Sequence, residues 1–193
     1  RGNIAQALAK LDAEHGNLRA AMAFALEHAR HRDALTLASK LTPYWGRRGL
    51  WSEGRQWLAR AVSGSRTLGD DLERARATLN EGYLAREQGD HAAARALLED
   101  GVAMLARLGE AESALYANGL NVLGTALARL DDLDAALDHY RRSKALFERL
   151  EALPQAAEAG GNVALLHSRR GELEAAGEAL EAVRASFERL GDA

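Results

Sequence analysis

Leu68-Gly69-Asp70, Leu108-Gly109-Glu110, Leu150-Glu151-Ala152 and Leu190-Gly191-Asp192 return along this chain with their starts 40, 42 and 40 apart. A second series keeps the same step: Gly49, Gly89, Asp131 and Gly171, each followed five positions later by a small residue, Gly54, Ala94, Ala136 or Ala176. Two phrases in one register define an internal repeat. A period of this size belongs to stacked supersecondary units, each of which buries its apolar face only against its neighbours.

Within a repeat the pattern is that of two helices. From Ser113 to Leu150 a first stripe, Leu120, Leu123, Leu127 and Leu130, is followed by a second, Leu133, Ala136, Leu137, Tyr140 and Leu146, both at three-and-four spacing. Asp131, Asp132 and Asp134 lie between them, where carboxylates cap free N–H groups and meet the positive end of the helix dipole. Gly49, Gly89 and Gly171 occupy the equivalent bend, suited to the left-handed conformation that ends a helix, and Asp131 is the substituted case. Gly82, Gly124 and Ala164 fall mid-way along the first helices, opposite Ala94, Ala136 and Ala176. Glycine within a helix costs about 0.5–1 kcal/mol relative to alanine, and close helix packing is the expected compensation. The two extra positions of the longer interval are expected in the connection around Leu108 to Ser113 or just after it.

The composition agrees with an all-α chain: 193 residues, 47% hydrophobic, 27% charged and only two prolines. The expected architecture is an α-solenoid of antiparallel helix pairs, one domain coiled as a right-handed superhelix. Residues 1–32 form a lead-in, and four pairs follow at about 33–69, 70–110, 111–152 and 153–193. With 25 basic and 28 acidic side chains the formal charge is −3, so no sequence-wide positive field exists to hold nucleic acid or an anionic membrane. The absence of cysteine removes disulfides and thiolate sites and fits a cytoplasmic location. No apolar run approaches the roughly 20 residues of a membrane span. The chain opens at Arg1-Gly2-Asn3 without a methionine or a signal-like segment and closes at Asp192-Ala193, where another repeat could begin; a piece of a longer protein is expected.

Leu123-Gly124, Leu127, Asp131-Asp132-Leu133, Ala136 and Tyr140 resemble a tetratricopeptide repeat, as do Gly82, Gly89-Asp90-His91, Ala94 and Leu98. The units are longer than the usual repeat of that kind. The lengthened second helix, ending at Phe147 to Ala152 and Phe187 to Asp192, is similar to the variant in the C-terminal regions of large bacterial signal-transduction ATPases. HEAT and armadillo arrays share the period but lack the bend. Leu11-Asp12-Ala13-Glu14-His15-Gly16-Asn17-Leu18-Arg19-Ala20-Ala21, Tyr44-Trp45 to Gly49, and Glu53-Gly54-Arg55-Gln56-Trp57-Leu58 resemble the segment leading into the array of LuxR-type and AfsR-like transcriptional regulators. The resemblance implies a module that senses an inducer or binds a regulatory partner, with ATPase and DNA-binding functions in other domains. A general scaffold for protein assembly is the alternative, and self-association of the array ends is a further expectation.

The search for chemistry points away from catalysis. Gly160-Gly161-Asn162 lacks the lysine and hydroxyl of a phosphate loop and reads as a helix start packed on its neighbour. Among the six histidines only His28 and His31, three apart on a helix, could reach one metal unaided, and a surface pair is the expected reading. His167 reads as a core histidine. Asp131, Asp132 and Asp134 lack the glycine and glutamate of a calcium loop. No catalytic residue, cofactor or metal is therefore expected. Trp45, Trp51 and Trp57 are expected to fill the junction between lead-in and array.

The first helices of such an array line its concave surface, the usual binding face. Arg47, Tyr83, Arg86, Glu87, Asn118, Asn121, Thr125, Arg129, Glu158, Leu165 and Arg169 take equivalent inward positions. Arg47, Arg86, Arg129 and Arg169 recur at one level, and a row of guanidinium groups suits an acidic peptide or a small anionic inducer. Partners from the upstream domains of the same chain are the other expectation. Only Asn121 fits the carboxylate clamp of chaperone-binding repeats, so that clamp is not expected.

Overall fold

The computed structural model describes residues 2–191, and the side chains of 4–188. Among them are ten α-helices and no strand: α1 Gly2–Ala13, α2 His15–Glu27, α3 His31–Arg48, α4 Trp51–Gly64, α5 Leu72–Glu87, α6 His91–Arg107, α7 Ala114–Arg129, α8 Leu133–Arg149, α9 Leu153–Arg169 and α10 Leu173–Gly191. A short 3-10 turn, Arg66–Leu68, precedes α5. The chain divides into two compact units, Arg1–Asp90 and His91–Ala193.

The bends form as the glycine series requires. Gly49, Gly89 and Gly171 have φ of 67°, 82° and 76°, and Asp131 takes the same conformation at 64°. In each case the next N–H returns to the last helical turn, as from Leu50 to the Trp45 carbonyl at 2.9 Å and from Asp132 to Leu127 at 3.0 Å. The ends of the second helices use the same device: Gly109 at 79° and, where the phrase loses its glycine, Glu151 at 56°. The last copy of that phrase ends at Asp192, outside the described residues. Helix starts are capped by side chains at Asp71, which accepts from Glu73 and Arg74, at Ser113 and at Asp132. α6 ends at Arg107 and α7 starts at Ala114, whereas α8 ends at Arg149 and α9 starts at Leu153; the extra length of the long interval lies in 108–113.

In the first unit, α3 packs against α2, α4 and α5 around a core centred on Leu35, Trp45, Leu58 and Leu84, all essentially inaccessible. Trp57 joins that core, with the Arg60 guanidinium 4.6 Å from its ring centre, and Trp51 packs at its edge. The indoles therefore cement α3, α4 and the lead-in, as expected. In the second unit α6 to α10 pack in chain order. Phe147 and Leu146 of α8 bury against Ala117 of α7 and Ala156 of α9. The small residues do bring helices close: a Cβ on Gly124 would stand 2.9 Å from the Tyr140 ring and 3.2 Å from the Ala136 carbonyl.

Two local expectations are corrected. His28 is the residue after α2 and His31 opens α3, so they do not share a helix; His28 instead stacks on Phe24 and contacts the Phe24 carbonyl through Nδ1. Gly160 and Gly161 lie in the middle of α9 rather than at its start, and a Cβ on Gly160 would meet Val183 at 2.9 Å. The alanine-rich sequence around them carries the helix through both glycines.

Candidate functional site

The motif residues of the lead-in are spent on docking. Asp12 accepts from the Tyr44 hydroxyl at 3.1 Å and from Arg48 Nε at 3.0 Å. The hydrogen bond from Arg48 holds the Asp12 carboxyl below its usual range, and burial, with the nearby carboxylate, raises the Tyr44 phenol. His15 Nε2 contacts Glu53 at 2.9 Å, Arg19 reaches the same carboxylate at 3.5 Å, and the His15 ring meets Tyr44 edge-on. Glu14 accepts from Asn17. Leu11 to Ala21 thus fastens α1 and α2 to α3 and α4.

On the first unit the candidate face is formed by α3 and α5. Pro43 has no N–H, which frees the Ser39 carbonyl from its helical partner; Asn80 of α5 donates to it at 3.4 Å. Tyr83 stands against α3, its hydroxyl 3.5 Å from where a Gly46 Cβ would be. Arg86 stacks over the Tyr83 ring, 4.9 Å from its centre, and ion-pairs with Glu87. Arg47 is exposed and turns to the other side, into a groove of about 390 Å³ between α1 and α3. Behind this face the half-buried Glu81 carboxyl is pushed up to about 7 by burial, against the pull of Arg55. Arg55 is itself engaged by Gln88 at 2.7 Å and Asp90 at 3.2 Å.

On the second unit α7 and α9 carry the candidates. Asn121 is buried, donating to Glu158 at 3.4 Å and accepting from Asn162 at 3.0 Å. Thr125 donates to the Asn121 carbonyl at 3.1 Å and accepts from the Tyr140 hydroxyl at 3.1 Å. Arg169 donates to the Ala128 carbonyl at 2.9 Å and pairs with Asp131 at 3.4 Å. Asn118, Arg129 and Glu158 are exposed, as is Leu165 at 63%. Asn118 and Arg129 have no hydrogen bond or ion pair among the described residues. His167 is a core histidine, held between Glu172 and Arg141.

The four arginines of the sequence row therefore differ. Arg86 and Arg169 are committed to carboxylates of this chain, whereas Arg47 and Arg129 are not. The α1/α3 groove, with both Lys40 and Arg47 in its lining, escaped sequence reasoning because the path of α1 across α3 is a tertiary fact. The three-and-four spacing of Ile4, Ala7, Leu8 and Leu11 was its one visible signal. No cluster of three or more metal-ligating side chains exists among the described residues. No described helix is long and apolar enough to cross a membrane.

Helix pairs joined by a left-handed bend, with small residues where they cross, define a tetratricopeptide-like α-solenoid fold. Residues 73–149 match the tetratricopeptide repeat family. No curated protein matches the chain in sequence. Its fold is similar to the crystal structure of BtubC (BKLC) from P. vanneervenii, with a TM-score of 0.79 at 18% identity, covering 95% of this chain and 78% of that one. It is also similar to aspartyl phosphate phosphatase F from Bacillus subtilis, with a TM-score of 0.72 at 13% identity over 84% of this chain and 42% of that one. A Rap protein complexed with Competence and Sporulation Factor matches with a TM-score of 0.73 at 15% identity, over 95% of this chain and 53% of that one. The chain thus spans about half the length or less of the last two.

Proposed function

We propose that this chain is a non-catalytic module that binds a protein or peptide partner through the first-helix faces of its repeats, as the sensing arm of a multidomain bacterial transcriptional regulator. One observation carries the partner-binding part: on these faces Asn118 and Arg129 project without an intramolecular hydrogen bond or ion pair, as does Arg47 on the α1 side of α3, among neighbours such as Arg86, Asn121 and Arg169 that are engaged within the chain. Side chains held out on a rigid scaffold, with no structural employment, are what a recognition surface needs. The similarity to a Rap protein solved with a bound factor is in keeping with this use of the fold. The regulator context rests on the lead-in motif. Because that motif is consumed in docking α1 and α2, a general assembly scaffold carrying the same lead-in is the second reading.

Coding sequence upstream of Arg1 separates the two: a phosphate-binding nucleotide loop and a winged helix are expected, and further repeats in their place would overturn the regulator reading. Partner binding is tested with paired baits, wild type and the Asn118→Ala/Arg129→Glu variant, in affinity capture from the native host. A partner lost only from the variant is expected, with unchanged circular dichroism; identical captured sets would contradict the use of this face.

A further inference from the structure

We infer that the groove between α1 and α3 docks an amphipathic partner helix whose apolar stripe is flanked by carboxylates two turns apart. The α1 wall presents Ile4, Ala7, Leu8 and Leu11, one stripe at helical spacing, and Ile4 is 54% exposed. The α3 wall presents Pro43, with the buried Tyr44 behind it and Lys40 and Arg47 at either end. Asp12 ties the wall of α1 to Tyr44 and Arg48, so it is anchored beside the groove.

Charge identifies the occupant. Lys40 and Arg47 are exposed and have no hydrogen bond or ion pair among the described residues, unlike Arg48 beside them. They stand seven positions apart on one helix, about 10 Å along its axis. A partner helix aligned with α3 meets both cations with carboxylates at i and i+7, and places apolar side chains at i+3 and i+4 between Pro43 and the α1 stripe. This is helix-in-groove recognition, with apolar anchors for affinity and rim charges for register and specificity. Length fits as well. A second groove, of about 410 Å³, lies between α2 and α3 and shares Lys40, with Phe24 and Leu37 in its lining. Together the two follow α3 from Asp33 to Arg47, about 21 Å or four helical turns.

This inference rests on the partner-binding reading above and adds the partner's chemistry. The probe is a fluorescein-labelled alanine-based helical peptide of about five turns. One face reads Glu, Leu, Leu, Glu at i, i+3, i+4 and i+7, and a second peptide carries Lys for each Glu. Fluorescence anisotropy against the full chain is expected to show binding of the acidic peptide alone, weakened by salt. Lys40→Glu/Arg47→Glu is expected to weaken it by at least about tenfold and to admit the lysine peptide instead. Leu8→Asp is expected to remove binding of the acidic peptide. Equal binding to wild type and to the charge-reversed variant, or no binding of the acidic peptide, would overturn the proposal. So would dodecanoate binding in its place, which would mark a small-molecule site. Asn118→Ala/Arg129→Glu should leave peptide binding intact, so failure here is distinguishable from failure of the wider reading.

Discussion

Replacing Gly54 with alanine should destabilise the first unit although alanine is the better helix former. Gly54 lies in the first turn of α4, where a Cβ would stand 2.5 Å from Leu84 Cδ1, 2.8 Å from Trp45 Cε3 and 2.9 Å from Trp45 Cδ2. Neither neighbour has room to move: Trp45 is 1% and Leu84 0% exposed. Removing glycine from a helix gains about 0.5–1 kcal/mol, whereas forcing a methyl into a packed core costs about 1–3 kcal/mol. With all three contacts under 3.0 Å the upper part of that cost applies, about 2–3 kcal/mol, and a net loss of about 1–2.5 kcal/mol is expected from these opposed effects. All three tryptophans lie in residues 1–90, so urea unfolding followed by tryptophan fluorescence reports on this unit. The matched control, followed by circular dichroism because the second unit has no tryptophan, is Gly161→Ala in α9, where nothing lies within 4 Å of the added carbon; there a gain of about 0.5–1 kcal/mol is expected. A Gly54→Ala chain as stable as wild type would refute close helix approach as the reason for the small residue five positions beyond the bend.

Two further substitutions probe the repeat. Glu81 has a folded-state value of about 7 against an ordinary 4.5, so the unfolded chain ionises first and stability falls as pH rises from about 4.5 to about 7. Complete burial would make that gap worth about 3 kcal/mol, and partial solvent access reduces it to about 1–2 kcal/mol. Glu81→Gln should therefore stabilise by that amount at pH 8 and do little at pH 4.5, read from denaturation midpoints; a pH-independent effect would contradict it. Glu151→Gly relieves a left-handed residue at φ 56° and should gain about 0.5–1 kcal/mol despite the added freedom of the unfolded chain. An unchanged or lower melting temperature would count against it.

Much of the fold was legible because it is local. The Gly49, Gly89 and Gly171 series marked bends that only positive φ can make, and register alone placed Asp131 in the same conformation. The cap at Asp132 and the longer connection before α7 were likewise written in short stretches of chain. The candidate site was less legible, because exposure depends on which neighbours compete for a side chain. Sequence put Asn121 and Arg169 on a binding face, but Asn162 and Glu158 occupy the first, and Asp131 with the Ala128 carbonyl occupies the second. Arg47 stands at nearly the same level of its repeat as Arg86, yet α1 lies beside it and makes one wall of a groove. The Gly160-Gly161 pair misled for a related reason: a small residue that admits a neighbouring helix looks in sequence like one that ends its own.

Amide hydrogen exchange on the chain, alone and saturated with the acidic helical peptide, tests the central claim that partners are recognised on the first helices of the repeats. Slowed exchange in α3 and α1, with α4, α8 and α10 unchanged, is the predicted result. Protection confined to α4, α8 or α10 would contradict it.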